Sequence, residues 1–225
     1  NTGIFTLAPD LMRELAFKAA RGGLALAVHA IGDLTNSVVL DVLMAAQKIN
    51  PHLRHRIEHV QLITPTDQAR LAHSGIIASM QPIHAIHDAA MVDRYWGNRG
   101  ENAYVFRSLL DLGVPLAFGS DAPIEVFDPF LALFSAVARR TEVNRVPSAV
   151  VWYPEQRLPL SEAVRAYTWG GAYAAGMEDR LGKLTPGYYA DLVVLDRDIF
   201  ELPEESLLEV SVSRVMVSGD WEHLE

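Results

Sequence analysis

The sequence of 225 residues contains no cysteine. This absence excludes disulfide frameworks, zinc–thiolate sites and thiol nucleophiles, so any metal site has to be built from histidine, aspartate or glutamate. It does not identify a compartment, because oxidising and reducing environments both permit a protein without cysteine.

Long apolar runs and an excess of positive charge are also lacking. Half of the residues are apolar, yet no stretch approaches the roughly 18 consecutive apolar residues of a membrane-spanning helix. Lysine and arginine total 19 against 28 aspartates and glutamates, a formal net charge of -9. We therefore expect neither nucleic acid nor a membrane as a partner. The composition predicts a cytoplasmic protein, unless a leader was lost upstream of Asn1.

Apolar runs alternate with segments of helical period, which is typical of β/α units around a parallel sheet. A helix is predicted from Pro9 to Gly22, and a further helix begins after the cap Thr64. Four strands are predicted, at residues 24–29, 56–60, 76–81 and 115–121.

The connections give less regular signals. The polar stretch 84–102 predicts a long functional loop, and residues up to Pro159 are also predicted as loop. A helix capped by Ser161 is expected over 162–173. Arg139 and Arg140 are interpreted as a solvated helix end.

Four strands with their helices match half of a (β/α)8 barrel, which typically takes about 250 residues. We predict residues 1–180 as a partial barrel that carries the metal site. Residues 181–225 are predicted as an antiparallel segment outside the α/β part, with strands at 189–195 and 212–217. A small doubly wound sheet remains the alternative, and either open sheet would expose unpaired edges.

Three of the four predicted strands end on a possible metal ligand: His29, His59 and Asp121. Each has an ordinary alternative, since His29 can bond to backbone, Glu58 can pair with Arg56, and an aspartate before a loop often caps a turn. Repetition along one rim of a sheet favours a shared metal site. Asp121 could also take a proton from water during hydrolysis.

Further candidates follow the third strand. Gln81, His84 and His87 can hydrogen-bond a substrate, although histidines in a surface loop need no function. Trp96 and Tyr95 can form the wall of a pocket for an apolar or aromatic substituent, or only pack the loop. We take Gln81, His84 and Trp96 as candidate substrate-binding residues.

Several motifs together resemble the amidohydrolase superfamily, and within it the amidohydrolase family 3 branch that is similar to N-substituted formamide deformylase. The matching motifs lie, in the family's order, at 28–33, 56–61, Gln81-Pro82 with His84, 118–123, 181–187 and 190–196. The resemblance implies the C-terminal half of a metal-dependent (β/α)8 barrel, strands 5 to 8, plus part of a small β-sandwich. It implies hydrolysis of amide-type C–N bonds.

The resemblance also implies roles for single residues. His29 and His59 match the family's metal-binding histidines after the fifth and sixth strands, and Asp121 matches the metal-binding aspartate that acts as general acid and base. The implied cofactor is a divalent metal, above all zinc, as one or two ions.

The sequence departs from the family pattern in one respect, because it contains no His-x-His pair. That pair and a bridging carboxylate are expected upstream of Asn1, so we expect this chain alone to bind metal weakly and to be inactive. Expected partners are a small amide-type substrate and either the missing N-terminal half or a second copy. Two alternatives remain: a non-catalytic half-barrel that associates through its sheet edges, and a relative that cleaves phosphotriesters or lactones.

Overall fold

The computed structural model describes residues 3–143 and 146–222. The chain divides into two compact units, each described by itself below. The first comprises Asn1–Met80 and Ala90–Leu116, and the second comprises Gln81–Ala89 and Ala117–Glu225. The predicted boundary at residue 180 stays a prediction.

The first unit contains a parallel sheet. Strands β1 (Ala27–Ala30), β2 (Arg56–His59) and β3 (Ile77–Met80) pair in parallel, with Val28 opposite Ile57 and Ile57 opposite Ala78. Strand β4 (Leu116–Phe118) enters beside β3, because the amide of Ala78 donates to the Pro115 carbonyl at 3.0 Å. The sheet order is β1-β2-β3-β4, which confirms the parallel sheet predicted from the apolar runs.

Helices accompany this sheet, and the helix Asp33–Gln47 packs against β1 and β2. In the first unit they are α1 (Pro9–Arg21), α2 (Asp33–Gln47), α3 (Pro65–Ser74), α5 (Ala89–Tyr95) and α6 (Phe106–Asp111), with a 3-10 turn at Gly97–Asn102. The predicted start of α3 is confirmed, since Thr64 Oγ1 accepts the Asp67 amide at 3.2 Å. Val39, Leu43, Ile57 and Ile77 are fully buried and form the interior between helix and strand.

The prediction of a loop over 84–102 is wrong. The stretch is helical and contains most of α4 (Pro82–His87), all of α5 and the 3-10 turn. Ile83 and Ile86 lie one turn apart and pack in one core cluster with Phe134. Burial of this apolar pair stabilises the helix. The polar residues around the pair made the helix difficult to predict from the sequence.

The second unit begins with α4 and continues after β4. Its helices are α7 (Pro129–Ala138), α8 (Leu160–Arg165), a π-helical segment (Ala166–Gly170) and α9 (Gly171–Ala174). Asp128 caps α7 by accepting the Phe130 amide at 2.9 Å. The predicted cap Ser161 is wrong, because the capping position is Pro159 and Ser161 already lies inside α8.

Residues 140–143 and 146–156, within the described parts of this predicted loop, have mostly regular structure instead. They form an antiparallel hairpin of β5 (Arg140–Val143) and β6 (Val146–Val151), followed by a 3-10 turn at Pro154–Gln156. β-branched valines favour the extended conformation here.

Arg139 is not solvated as predicted. Its side chain is fully buried, donates from Nε to the Trp152 carbonyl at 3.1 Å, and lies 4.8 Å from the Trp152 ring centroid. Burial is tolerated because the guanidinium finds an acceptor and an aromatic face.

The predicted antiparallel tail is confirmed. Strands β7 (Leu192–Leu195), β8 (Val212–Val217) and β9 (Asp220–Glu222) form a three-stranded sheet, preceded by a 3-10 segment at Glu204–Glu209. Within the described parts of the chain, no helix is both long and apolar enough to cross a membrane.

Candidate functional site

Two of the predicted ligands, His29 and His59, are neighbours in the first unit. His29 lies on β1 and His59 is the last residue of β2. Their ring centroids are 4.5 Å apart, with the planes at 72°. His59 is buried and His29 is exposed, so one imidazole lies in the interior and the other faces outward. The two strands thus bring together two imidazole rings, each of which offers nitrogen donors.

The backbone leaves β2 in an unusual conformation. His59 has φ 79° and Val60 has φ 48°, both in the left-handed region. Such non-glycine conformations cost roughly 1–3 kcal/mol each and cluster at functional sites. The turn sets the direction of the chain immediately after the His59 imidazole.

The carboxylate next to His59 is engaged elsewhere. Glu58 Oε1 accepts from Arg56 Nε at 2.5 Å, which confirms the predicted ion pair. The alternation along β2 therefore separates the Arg56–Glu58 pair from the side that carries His59.

A cleft of about 660 Å³ opens beside His29 in the first unit. The predicted wall residues Tyr95 and Trp96 both line it, together with apolar side chains that include Met12, Ile31 and Leu62. An ion pair between Arg99 Nη2 and Asp33 Oδ2, 2.6 Å long, connects two sides of the lining. A mostly apolar cleft with a few fixed polar groups is the usual form of a small-molecule site.

The third predicted ligand, Asp121, lies in the second unit beyond the buried strand β4. It too has a left-handed backbone, with φ 62°, and its carbonyl accepts the Ile124 amide at 2.8 Å. Asp121 therefore begins a turn, which is the ordinary role of an aspartate before a loop. Its side chain contacts His84. Its Oδ2 lies 3.2 Å from Nε2 of His84.

His84 is buried on α4 and does not lie on a surface loop. Its other ring nitrogen, Nδ1, is 3.4 Å from Glu125 Oε1. Glu125 also contacts His87, because Nδ1 of His87 lies 3.0 Å from both oxygens of the Glu125 carboxylate. Sequence reasoning missed Glu125, although the spacing of His84 and His87 by three residues places both imidazoles on one helix face.

A second missed residue is Tyr167, in the π-helical segment. Its hydroxyl donates to the Gly119 carbonyl at 3.2 Å, and its ring packs edge-on against Phe118 with centroids 5.8 Å apart. Burial, and then the charge of Asp128, raise the pKa of Tyr167 well above its usual range, so the hydroxyl stays a neutral donor. These contacts fix the chain between β4 and Asp121.

Gln81 is buried at the position that precedes α4. Its Oε1 is a buried acceptor with no hydrogen-bond partner among the described residues. A bound donor would remove the cost of leaving that oxygen unsatisfied, about 1–3 kcal/mol. Substrate binding by Gln81 stays a prediction.

The donor set determines which metal it suits. Imidazole nitrogens and carboxylate oxygens both suit divalent cations, and thiolates are absent from the sequence. A parallel α/β sheet with such residues at its strand ends is an arrangement found in the class of metal-dependent hydrolases.

Comparison with known proteins agrees with that class. Residues 2–221 match the model of the Amidohydrolase family, and the chain belongs to this family. The resemblance found in the motifs is thereby confirmed.

Curated relatives span the same region. The chain is similar to Protein LONG AFTER FAR-RED 3 of Arabidopsis thaliana, with 34% identity over 89% of this chain and 34% of that protein. It is also similar to N-substituted formamide deformylase of Arthrobacter pascens, with 30% identity over 92% of this chain and 38% of that protein. The chain thus spans less than two fifths of the length of these relatives.

A solved structure shows the same fold. An uncharacterized metal-dependent hydrolase from Pyrococcus horikoshii OT3 superposes with a TM-score of 0.78 at 31% identity, covering 91% of this chain and 40% of that one. The fold is therefore the α/β architecture with a parallel sheet that this hydrolase has. The division into half a barrel and part of a sandwich stays a prediction.

Proposed function

We propose that this chain supplies metal-binding and proton-transfer residues to a metal-dependent hydrolase that cleaves amide-type C–N bonds. The observation that carries the proposal is the close pair of His29 and His59 rings at adjacent strand ends. The family assignment supports it. The relative named as a deformylase of N-substituted formamides favours a small amide as substrate.

His29, His59 and Asp121 are the proposed ligands, with zinc as the ion best suited to two imidazoles and a carboxylate. When bound, the ion would polarise a carbonyl oxygen and lower the pKa of water. The chain's own residues supply the rest of the chemistry. Asp121 takes the proton of the attacking water, and His84, whose Nε2 lies 3.2 Å from Asp121 Oδ2, can receive that proton.

Substrate binding is assigned to the remaining candidates. Trp96 lines the cleft beside His29 and offers a large apolar face to the substituent on the amide. Gln81 and His84 would hydrogen-bond the polar atoms of the substrate, and the buried acceptor of Gln81 supports that role. The apolar part of that wall, which includes Met12, Leu62 and Trp96, suits an apolar substituent on the amide.

The chain is proposed to act as strands 5 to 8 of a (β/α)8 barrel together with its N-terminal half. Catalytic zinc usually has three protein ligands and an open position for water. With the His-x-His pair supplied from outside this sequence, the chain alone would bind metal weakly and would not turn over substrate.

The test is hydrolysis of an N-alkylformamide by the protein from the complete open reading frame, loaded with zinc. Replacing His59 by Asn should lower kcat/KM at least about 100-fold, because a ligand is removed. The control is His73→Asn, since His73 lies on α3 and bonds to the Ala69 carbonyl. Equal activity of both variants, or no hydrolysis by the loaded wild type, would overturn the proposal.

A further inference from the structure

A second pocket, of about 480 Å³, lies in the second unit. Its described lining contains none of the residues assigned above to the metal or to the substrate. The lining has two cationic and two hydroxyl side chains, and it comprises Ser161, Val164, Arg165, Thr168, Trp169, Gly182 and Lys183. Pockets of roughly 300–1,000 Å³ are the usual size of small-molecule sites. We call this one the Arg165–Lys183 pocket.

One face of a helix forms most of the Arg165–Lys183 pocket. Helix α8, the π-helical segment and α9 follow one another without a break from Leu160 to Ala174. Ser161, Arg165 and Thr168 are spaced by four and three residues, so their side chains lie on the same side of that helix. The guanidinium carbon of Arg165 is 4.4 Å from the Trp169 ring centroid. π-Helical turns occur frequently at functional sites.

The chain after α9 completes the pocket at Gly182. This residue has φ +83°, and a Cβ there would lie 2.7 Å from the Cα of Trp169 and 2.9 Å from the carbonyl oxygen of Thr168. Glycine permits both the positive φ and the close approach of the two backbones. Because Lys183 is the next residue, this approach brings its side chain to the pocket that Arg165 also lines.

The charged side chains of this lining are both positive. Arg165 and Lys183 line the pocket, and no aspartate or glutamate does so among the described residues, although the net charge of the chain is -9. Glu162 Oε2 is 3.8 Å from Arg165 Nη1, which is longer than a hydrogen bond. Lys183 Nζ lies 5.9 Å from the Tyr188 ring centroid. Both cations therefore keep donors that can bind an anion.

We propose that the Arg165–Lys183 pocket binds the phosphate group of a small ligand. A phosphate monoester carries a charge of about -1.5 to -2 at pH 7 and three strong acceptor oxygens. The planar guanidinium of Arg165 can donate to two of these oxygens, while the Lys183 ammonium and the Ser161 hydroxyl supply further donors. Val164 offers an apolar contact to the organic part of the ligand. A carboxylate has one charge and two oxygens, so it would use fewer of these donors.

The test is isothermal titration of the protein from the complete open reading frame with phenyl phosphate, after a chelator has removed bound metal. At about pH 8 the ester carries nearly two negative charges, since its second pKa is about 6. In about 50 mM salt the wild type should bind it with a Kd below about 1 mM. Benzoate should bind at least about tenfold more weakly. No binding of phenyl phosphate, or equal binding of benzoate, overturns the proposal.

Variants locate the bound phosphate. Arg165→Ala and Lys183→Ala should each weaken binding of phenyl phosphate at least about tenfold, because each removes one of the two charged donors. Arg165→Lys keeps the charge without the planar fork and should recover only part of the affinity. Both side chains are exposed, so the variants should fold, which far-UV circular dichroism checks.

The matched control is Arg180→Ala. Arg180 is exposed, pairs with Asp179 and does not line the pocket. Its loss removes the same charge and should change the Kd less than about twofold, because salt screens exposed charges. Binding that is unchanged in both Arg165→Ala and Lys183→Ala, or that is weakened equally by Arg180→Ala, overturns the proposal.

Glu162 provides a test of opposite sign. Its carboxylate is the acidic partner of Arg165 and competes with a bound phosphate for the guanidinium. Glu162→Gln should therefore tighten binding of phenyl phosphate about two- to fivefold, the range that exposed ion pairs contribute. Weaker binding in Glu162→Gln would contradict the role of Arg165 as the phosphate donor.

Inorganic phosphate distinguishes two sources of the same group. If it binds at least about tenfold more weakly than phenyl phosphate, the ligand is an organic phosphate ester, and equal affinity identifies the free ion. Both results support a phosphate site, provided that Arg165→Ala and Lys183→Ala weaken binding of both probes. None of these measurements uses hydrolysis, so they stand or fail separately from the proposed function.

Discussion

The imidazole rings of His29 and His59 meet edge to face, with centroids 4.5 Å apart. β1 and β2 pair in parallel with His29 opposite Glu58 and Ala30 opposite His59, so both histidines lie at the same edge of the sheet. There the left-handed backbone of His59, with φ 79°, departs from the strand alternation. The conformation of that edge depends on residues that hydrogen-bond to the chain segments after β1 and β2. The first prediction concerns one such residue, Asn36.

Asn36 connects the chain segments that leave β1 and β2. Its Nδ2 lies within hydrogen-bond distance of the carbonyls of Ala30, Ile31, Gly32 and Leu62, at 3.0–3.3 Å. Replacing Asn36 by Leu leaves buried carbonyls without this donor, so stability should fall by about 2–3 kcal/mol. Urea unfolding at constant m-value measures the loss. A loss below about 0.5 kcal/mol would contradict the structural role.

Gly182 permits a close backbone approach. It has φ +83°, and a Cβ there would lie 2.7 Å from the Cα of Trp169. Gly182→Ala should destabilise by more than about 2 kcal/mol, because conformational strain and a backbone clash add. Gly187→Ala is the matched control, since φ is +94° but nothing lies within 4 Å of the added carbon. Equal losses for the two variants would show that the close approach contributes nothing.

Arg139 and Arg165 each stack on a tryptophan, but in different surroundings. Arg139 is fully buried over Trp152, whereas the Arg165 side chain, over Trp169, is 57% exposed. Arg139→Ala should cost about 3 kcal/mol from the lost stacking and the unsatisfied Trp152 carbonyl, and Arg165→Ala about 0.5–1 kcal/mol. Chemical denaturation of both variants provides the comparison. A larger loss for Arg165→Ala would contradict it.

Acid stability depends in part on Asp196. Hydrogen bonds from Arg197 and then from the Ser211 amide lower the pKa of Asp196 from 3.8 to about 2. A carboxyl whose pKa is lower in the folded state stabilises the fold above its unfolded pKa, and this contribution is lost as pH falls from 3.8 to about 2. The free energy of unfolding of Asp196→Asn should therefore change less with pH across that range than that of the wild type. The same pH dependence in both proteins would contradict the role of Asp196.

Much of the fold could be predicted from the sequence, because short apolar runs and helix caps are local signals. Thr64 with Pro65, and the run before Asp121, are examples. The helical stretch after Pro82 was missed because its apolar residues are few and its helix is stabilised by packing against Phe134, which is tertiary information.

The residues of the candidate site could also be predicted only in part. His29, His59 and Asp121 follow apolar runs, so their positions at strand ends were visible. Glu125 was not, because its partners His84 and His87 are about 40 residues away in sequence and only folding brings them together. Buried Arg139 was misjudged for the same reason, since its acceptor lies on Trp152 across a hairpin.

Zinc binding by this chain tests the central claim most directly. Isothermal titration of the wild type should show weak binding, weakened at least about tenfold by His29→Asn or His59→Asn, equivalent to about 1.4 kcal/mol each. His73→Asn should leave the affinity unchanged. Binding that persists unaltered in both His29→Asn and His59→Asn would contradict the proposal that these two imidazoles hold the metal.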